Sequence, residues 1–510
     1  MHYQNPIRRG MYPDPSIVLV DDTYYLVNST FEYYPGIALS KSKDLVNWET
    51  MPSVARKTSQ ADLRTAKSNE GIFAVCIRYY NNHFYVVTTN FAEFKTFIIR
   101  GEFSKDKSQI IWEDSRVEVN VMGIDPDLFF EDGKSYLQFT GYIDDQGTKA
   151  LQQVEFNLET GEIFRGPEVL TLGTGGRDVE GPHILKQKGY YYLLAAEGGT
   201  GQGHMITILR SKNLWGPYSE ERGVNPLFTN RDRANEPLQN IGHADLFQDV
   251  NGNWWLTCLG TRPATVGFSQ ITNIGRETLL YPVDWSGTWP KIYEGVPTVE
   301  VDLTNFPEHA KAIGQQKPVN FSDDFAFGQL KNDWLTLRAS LGSNLEVSPG
   351  KLSLHGSKKE LAELGTPAFL GLRQAEHTET LTLEVDPSTN PGQGFIALVA
   401  IINVDHYAEL TVHKAEVGYD IYHRQQVADL LVNEKVGHLA ELPRTLILKN
   451  TPAEKTFIAK TADEQVSFTV KALNLANEAL AALNTGDIEG LHAYGNDATL
   501  VIKKVTREVN

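Results

Sequence analysis

One spacing recurs five times in the first three hundred residues, and it restricts the possible folds more than any other feature of the chain. Each unit opens on an anchor, runs through a short apolar stretch, turns at Asp, Asn or Gly, and returns as an aromatic-rich stretch. The anchors are Asp14, Ala74, Asp125, Glu180 and His243, about 50 to 63 residues apart. The returning stretches are Tyr24-Tyr25-Leu26-Val27, Phe84-Tyr85-Val86-Val87, Tyr136-Leu137, Tyr190-Tyr191-Tyr192-Leu193 and Trp254-Trp255-Leu256. An aromatic residue falls eleven positions beyond each anchor. Further strand-like runs follow, such as Phe97-Ile98-Ile99 and Met205-Ile206-Thr207-Ile208, and several units then carry a Trp before a turn (Trp48, Trp112, Trp215). A period of this length holds about four short strands, which is the signature of a propeller. Five units predict a five-bladed β-propeller over residues 1–300. Unrelated hairpins in a β-sandwich would not repeat the anchor-to-aromatic distance.

Past Pro297 the five-fold frame is lost. Residues 301–319, with Asn305-Phe306-Pro307 and Lys317-Pro318, read as a linker or wrapping segment. From Phe321 onward, alternating strands return (Leu381-Thr382-Leu383-Glu384-Val385, Leu410-Thr411-Val412, Leu500-Val501-Ile502), predicting a C-terminal β-sandwich of jelly-roll type over 320–510. The chain is thus expected to be all-β. The one stretch that looks helical is the Ala/Leu/Asn-rich run 472–483.

Charge and composition narrow the function. The 510 residues carry 47 basic and 64 acidic side chains, for a net charge of −17, opposite in sign to what a non-specific nucleic-acid binder or an anionic-membrane binder needs. The 23 Phe, 21 Tyr and 8 Trp exclude disorder and suit a neutral, hydroxyl-rich ligand. No apolar run approaches the ~20 residues of a membrane helix, and the first residues lack the apolar core of a signal peptide. Cys76 and Cys258 each lie in a hydrophobic stretch, outside any C-x-x-C pair, and read as buried reduced thiols. A cytoplasmic protein is expected, without nucleic-acid or membrane partners; a homo-oligomer is compatible.

In a propeller the innermost strands of all blades start at one face, so the anchors should converge on one mouth of the central channel. Three of the five are carboxylates (Asp14, Asp125, Glu180) and a fourth is His243. Each acid alone could begin a turn, but core-facing positions are normally apolar and unpaired buried carboxylates are costly. Converging carboxylates serve either hard-cation binding or acid–base catalysis. Glycoside hydrolysis needs one protonated carboxyl for the leaving oxygen and one ionised carboxylate for water, and a third can tune the acid's pKa. A metal site would be expected to cluster its oxygen ligands more closely in sequence.

The stretches Pro13-Asp14-Pro15-Ser16, Gly123-Ile124-Asp125-Pro126 and Glu180-Gly181-Pro182-His183 together resemble glycoside hydrolase family 43. Ala196-Glu197-Gly198-Gly199-Thr200, Gly242-His243-Ala244-Asp245-Leu246, Thr261-Arg262-Pro263 and Gly275-Arg276-Glu277-Thr278 agree with it, and the later half fits the sandwich of the family's two-domain β-xylosidases. The resemblance implies an inverting, exo-acting hydrolase that releases a terminal pentose from hemicellulose oligosaccharides. β-1,4-Xylosidase leads, with α-L-arabinofuranosidase or dual activity close behind; a non-catalytic carbohydrate-binding propeller and a protein-binding scaffold are the rivals from other classes. By the same resemblance Asp14 is the general base, Glu180 the general acid, and Asp125 the acid that tunes and orients it. Arg262 is implied to reach the sugar and the central carboxylate, Phe31 and Phe73 to wall the terminal sugar, and Tyr142 and Thr200 to line the pocket. His243 matches an axial histidine that in some relatives helps hold a structural calcium ion; the chemistry itself requires no cofactor. Phe73 stands where many β-xylosidases carry Trp. The segment 484–490 lacks the phenylalanine that, in several relatives, reaches from the sandwich over the pocket.

Overall fold

The computed structural model describes residues 1–479 and 484–509. Strands dominate, as the period-2 patterning requires, and they form a propeller followed by a sandwich. No helix among the described residues is long and apolar enough to cross a membrane.

Antiparallel sheets built from consecutive strands fill the first part of the chain. Their innermost strands are Ser16–Val20, Ile72–Tyr80, Ile124–Glu131, Glu180–Gln187 and Gln239–Gln248. The first, third and fifth sheets have four strands each. The second gains Val117–Val119 on its third strand, and the fourth has three strands with isolated bridges at its outer edge (Ile206 to Phe228, Arg210 to Ser219).

Polar side chains close the innermost strands into a ring. Ser16 Oγ accepts from the Ile77 N–H at 3.2 Å, and Arg78 Nη2 donates to Asp127 Oδ2 at 2.7 Å. His183 Nδ1 lies 3.0 Å from Asp127 Oδ2 and 3.9 Å from Asp245 Oδ1, and Ser16 Oγ donates back to Asp245 Oδ2 at 2.7 Å. Each strand is thereby tied to the next, and the fifth to the first.

The segment after Pro297 wraps the propeller. Glu300–Asp302 pairs with His2–Gln4, and His309 Nε2 lies 2.9 Å from the Trp254 carbonyl oxygen.

Beyond it, an eight-stranded and a six-stranded antiparallel sheet enclose a core that includes Leu383, Leu398, Leu410, Phe457 and Ile502. Phe395–Asn403 departs from the alternating pattern: all nine residues are buried. Ile396, Leu398, Ala400 and Ile402 face the sandwich core, whereas Phe395, Ala397, Val399 and Ile401 pack with Met11 and Tyr33 of the propeller. The strand is apolar on both faces because both are covered. The run expected to be helical holds two short 3-10 turns, Ala472–Leu475 and Asn477–Ala479; its remainder, 480–483, lies outside the described residues.

Candidate active site

The anchors converge, through a local device the spacing did not reveal. In the second to fifth sheets the pairing of the innermost strand slips between Ile72 and Val75, Ile124 and Asp127, Glu180 and His183, and Gly242 and Asp245. Each slip is a β-bulge, which bends a strand and re-aims its side chains. The bulges put Asp14, Phe73, Asp125, Gly181 and His243 in equivalent places, so the second and fourth anchors are Phe73 and Gly181 rather than Ala74 and Glu180. The eleven-residue spacing does not distinguish the two frames, since from these positions too it reaches an aromatic in every unit: Tyr25, Phe84, Tyr136, Tyr192 and Trp254. Asp14, Asp125, Gly181 and His243 adopt left-handed φ values of 51°, 55°, 60° and 45°. Such φ is uncommon for non-glycine residues and commonest for Asn, Asp and His among them, which suits the residue types found here.

Asp14 is buried and fully engaged. Its Oδ2 accepts from the Ser29 hydroxyl at 2.6 Å, its Oδ1 lies 3.3 Å from Arg276 Nη1, and His243 Nδ1 is 3.8 Å away. Burial pushes its pKa up, but the charge of Arg276, then His243 and the Ser29 hydrogen bond, outweigh it and hold the carboxyl below its ordinary value. Asp125 is shifted the other way: burial and the negative charge of Asp14 raise it, although its Oδ2 accepts the Gly181 N–H at 3.1 Å. Glu180 is pushed up to about 7, first by burial and then by Asp125, against the pull of Lys149, whose ammonium is 3.9 Å from Oε2. His243 Nδ1 is 3.9 Å from Asp125 Oδ2, and burial lowers its pKa. One mouth of the channel therefore holds one carboxyl biased toward the ionised form and a second biased toward the protonated form.

Phe31 and Phe73 meet edge to face with centroids 5.7 Å apart, and Arg276 lies 5.6 Å from the centre of Phe31. Phe31 thus stands beside the arginine that meets Asp14, with Phe73 against it. Phe91 stacks on Phe73 at 4.6 Å and extends the aromatic surface outward. Tyr142 is exposed at the rim, its ring 5.9 Å from the Lys149 ammonium. Thr200 lies in the loop between Tyr190–Glu197 and Met205–Ser211, half-buried. Glu197, which precedes that loop, accepts the N–H groups of Thr174 and Gly176 and so fastens the segment before Glu180.

Arg262 is not at the pocket. Nε and Nη2 donate to Glu277, Nη1 donates to Glu376 Oε2 at 2.6 Å, and Nη2 also reaches the Ala375 carbonyl oxygen. All its nitrogens are engaged, with Glu277 inside the propeller and with Glu376 and Ala375 of the sandwich. Arg276 holds the place beside the carboxylate that was expected of Arg262. It stands in the stretch Gly275-Arg276-Glu277-Thr278, but nothing in the local sequence favours its side chain over that of Arg262. Lys149 and Ser29 were missed for a plainer reason, since their types and spacing are unremarkable.

Among the described residues, the group of side chains that could jointly ligate a metal is Cys76, Asp127 and His183, and it excludes His243. A thiol is a poor partner for a hard cation. Arg78 donates at 2.7 Å to both Asp127 and Asp245 and already supplies the positive charge those carboxylates need.

Residues 3–290 match the family model of glycosyl hydrolases family 43, and residues 322–499 match that of the beta xylosidase C-terminal concanavalin A-like domain. The chain is 34% identical to a non-reducing end α-L-arabinofuranosidase of Bacteroides ovatus, over 97% of this chain and 92% of that protein. It is 31% identical to a β-xylosidase of Bacillus subtilis, over 82% of this chain and 80% of that protein. Among solved structures, the family 43 protein GH43B of the Bacteroides ovatus xyloglucan locus superimposes with a TM-score of 0.87 at 31% identity, covering all of both chains.

Proposed function

Because the chain belongs to glycosyl hydrolase family 43 and is a glycosidase, we propose that Asp14 and Glu180 divide its chemistry between them as base and acid. Glu180, protonated, gives its proton to the glycosidic oxygen as the bond from that oxygen to the anomeric carbon breaks. Asp14, ionised, takes a proton from the water whose oxygen forms the new bond to the same carbon from the opposite side. The products are a free sugar of inverted configuration and the shortened alcohol. Asp125 sustains the proton on Glu180 and orients it, while Phe31 and Phe73 pack against the terminal sugar. The observation that carries this reading is the opposite bias of two carboxyls at one channel mouth: Asp14 pulled down beside Arg276, Glu180 pushed up beside Asp125.

The blade count is proposed as five, on the ring of hydrogen bonds and ion pairs that ties each innermost strand to the next. Terminal cleavage is supported by the sandwich segment 484–487, whose Asn484 carbonyl oxygen accepts from Arg276 beside Asp14. The substrates are short xylo- or arabino-oligosaccharides. β-1,4-Xylosidase leads; α-L-arabinofuranosidase is the second reading, favoured by the likeness to the Bacteroides ovatus enzyme across both parts of the chain. No step passes through a metal. The two buried free thiols suit a reducing compartment, which supports action in the cytoplasm.

Leaving-group dependence tests the division of labour. An acid catalyst matters most when the leaving group is poor. Glu180→Ala should lose about 10²–10⁴-fold on xylobiose or arabinobiose while keeping much of its rate on nitrophenyl glycosides. Asp14→Ala should fail on both, and proton NMR should find the first-formed sugar inverted. Equal loss on all leaving groups by the Glu180 variant, or retained configuration, contradicts the assignment.

A further inference from the structure

Arg276 is held by more than Asp14. Its Nη2 donates to the Asn484 carbonyl oxygen at 3.4 Å, on the segment of the sandwich that approaches the propeller. The backbone just before Arg276 is docked on that same segment. Asp487 N–H donates to the Asn273 carbonyl oxygen at 2.8 Å, and Asn273 Nδ2 donates to Asp487 Oδ2 and Gln374 Oε1, each at 3.1 Å. Gly486 packs where no side chain fits: a Cβ there would lie 2.0 Å from the Ile274 carbonyl oxygen. Gly275, with φ of 95°, would in turn bring a Cβ within 3.0 Å of Gly486.

Beneath this contact sits a fully buried lysine. Lys455 Nζ donates to Asp487 Oδ2 at 2.9 Å, Glu489 Oε1 at 2.9 Å, Gln374 Oε1 at 2.7 Å and Asn450 Oδ1 at 3.0 Å. An ammonium with all its hydrogens committed inside a core fixes its partners in place, because any shift leaves a buried charge unpaired. It serves no described step of the hydrolysis. Its position accounts for one thing, the placement of Asp487.

We propose that the sandwich sets the position of the Arg276 guanidinium against Asp14 through residues 484–487, with Lys455, Asp487, Gly486 and Asn273 as positioning residues for the propeller's base. The inference rests on the reading of Asp14 as that base. The charged or titratable groups facing Asp14 are Arg276, His243, Asp125 and His204, and Ser29 bonds to it. Of these, among the described residues, Arg276 alone hydrogen-bonds to the sandwich segment. A loosened clamp should therefore act on Asp14 through Arg276 alone. The base must be ionised to work, so its pKa sets the acid limb of the pH profile. Losing the arginine lets burial dominate and moves that limb to higher pH.

Two variants open the clamp from opposite sides: Asn273→Ala removes both side-chain bonds on the propeller side, and Gly486→Ala pushes the backbones apart. With either, the acid limb of kcat/KM should rise by about one pH unit or more, in the direction of an Arg276→Ala control. The alkaline limb should stay in place and kcat should fall more than KM changes. Thermal melts identify a variant that merely unfolds, and either variant alone suffices as the test. Folded Asn273→Ala or Gly486→Ala enzyme with an unmoved acid limb, beside an Arg276→Ala control that does shift, overturns the clamp while leaving the base assignment intact. An Asp14→Asn variant that keeps wild-type activity instead overturns the base, and the clamp's catalytic role with it.

Discussion

At the scale of single residues, Asp14 and Glu180 start from similar burial and are driven apart by their neighbours. Burial alone would raise both; Arg276 at 3.3 Å reverses the shift for Asp14, and Asp125 reinforces it for Glu180. The pair Asp125 and Glu180 thus retains a proton into the neutral range, as the acid role proposed for Glu180 requires. Replacing Asp125 by Asn removes the like charge while keeping the shape. The pKa of Glu180 should then fall, and the acid form be lost at lower pH. The alkaline limb of the kcat/KM profile should move down by about one unit, with a lower maximal rate because orientation suffers too. A limb and rate that stay where they were would reduce Asp125 to an acceptor for the Gly181 N–H.

At the scale of the element, the bulge is what turns a propeller strand into part of a site. In a regular strand residues two apart share a face, so Asp125 and Asp127 would point the same way; the bulge between Ile124 and Asp127 re-aims Asp125 while Asp127 stays in the channel ring. Gly181 marks the same point in the fourth sheet, with φ of 60° and room for a Cβ only 3.2 Å from the His243 ring. Gly181→Ala should therefore cost about 1–2 kcal/mol from the left-handed backbone alone, seen as a lower Tm. Glu180 adjoins it and its N–H binds Asp125, so kcat should fall as well. Wild-type Tm and kcat in this variant would show that the bulge is not needed in its present form. The repeat itself was legible in the sequence, and so were the strands that carry it. Its frame was one residue off in the second and fourth units, because Ala74 and Glu180 flank the bulged position and a bulge leaves no fixed residue type behind.

At the scale of the whole molecule, the two parts of the chain share a buried polar seam rather than a flexible joint. Arg262, held by Glu277 on its own side, binds Glu376 across it, Arg9 also pairs with Glu376, and Arg373 of the sandwich donates to the Met11 carbonyl oxygen at 2.7 Å. Arg262→Ala would leave Glu277 buried without its cation. A loss of about 3–5 kcal/mol is expected, measurable as a clear drop in denaturation midpoint. Because Arg262 touches neither Asp14 nor Glu180, both limbs of the pH profile should remain in place in the folded variant. A displaced acid limb would return Arg262 to the site. The seam was partly readable: Phe395–Asn403 lacks the alternation of its neighbours, which is the mark of a strand covered on both faces.

What the sequence determined by itself was local and periodic. Strand and turn follow from alternation and from Asp, Asn and Gly at fixed offsets, and the anchors stand out because acids recur where apolar residues belong. Tertiary structure alone decided which arginine meets the carboxylate. Arg262 and Arg276 lie fourteen residues apart on the same sheet region, and nothing local distinguishes them. The choice is made by Glu376, which draws Arg262 into the seam, and by the segment 484–487, which leaves Arg276 facing Asp14. The protonation bias of the site was decided in the same way. A carboxyl's pKa answers to burial and to charges within a few ångströms, and the charge that sets Asp14 apart comes from a residue 262 positions away in the chain.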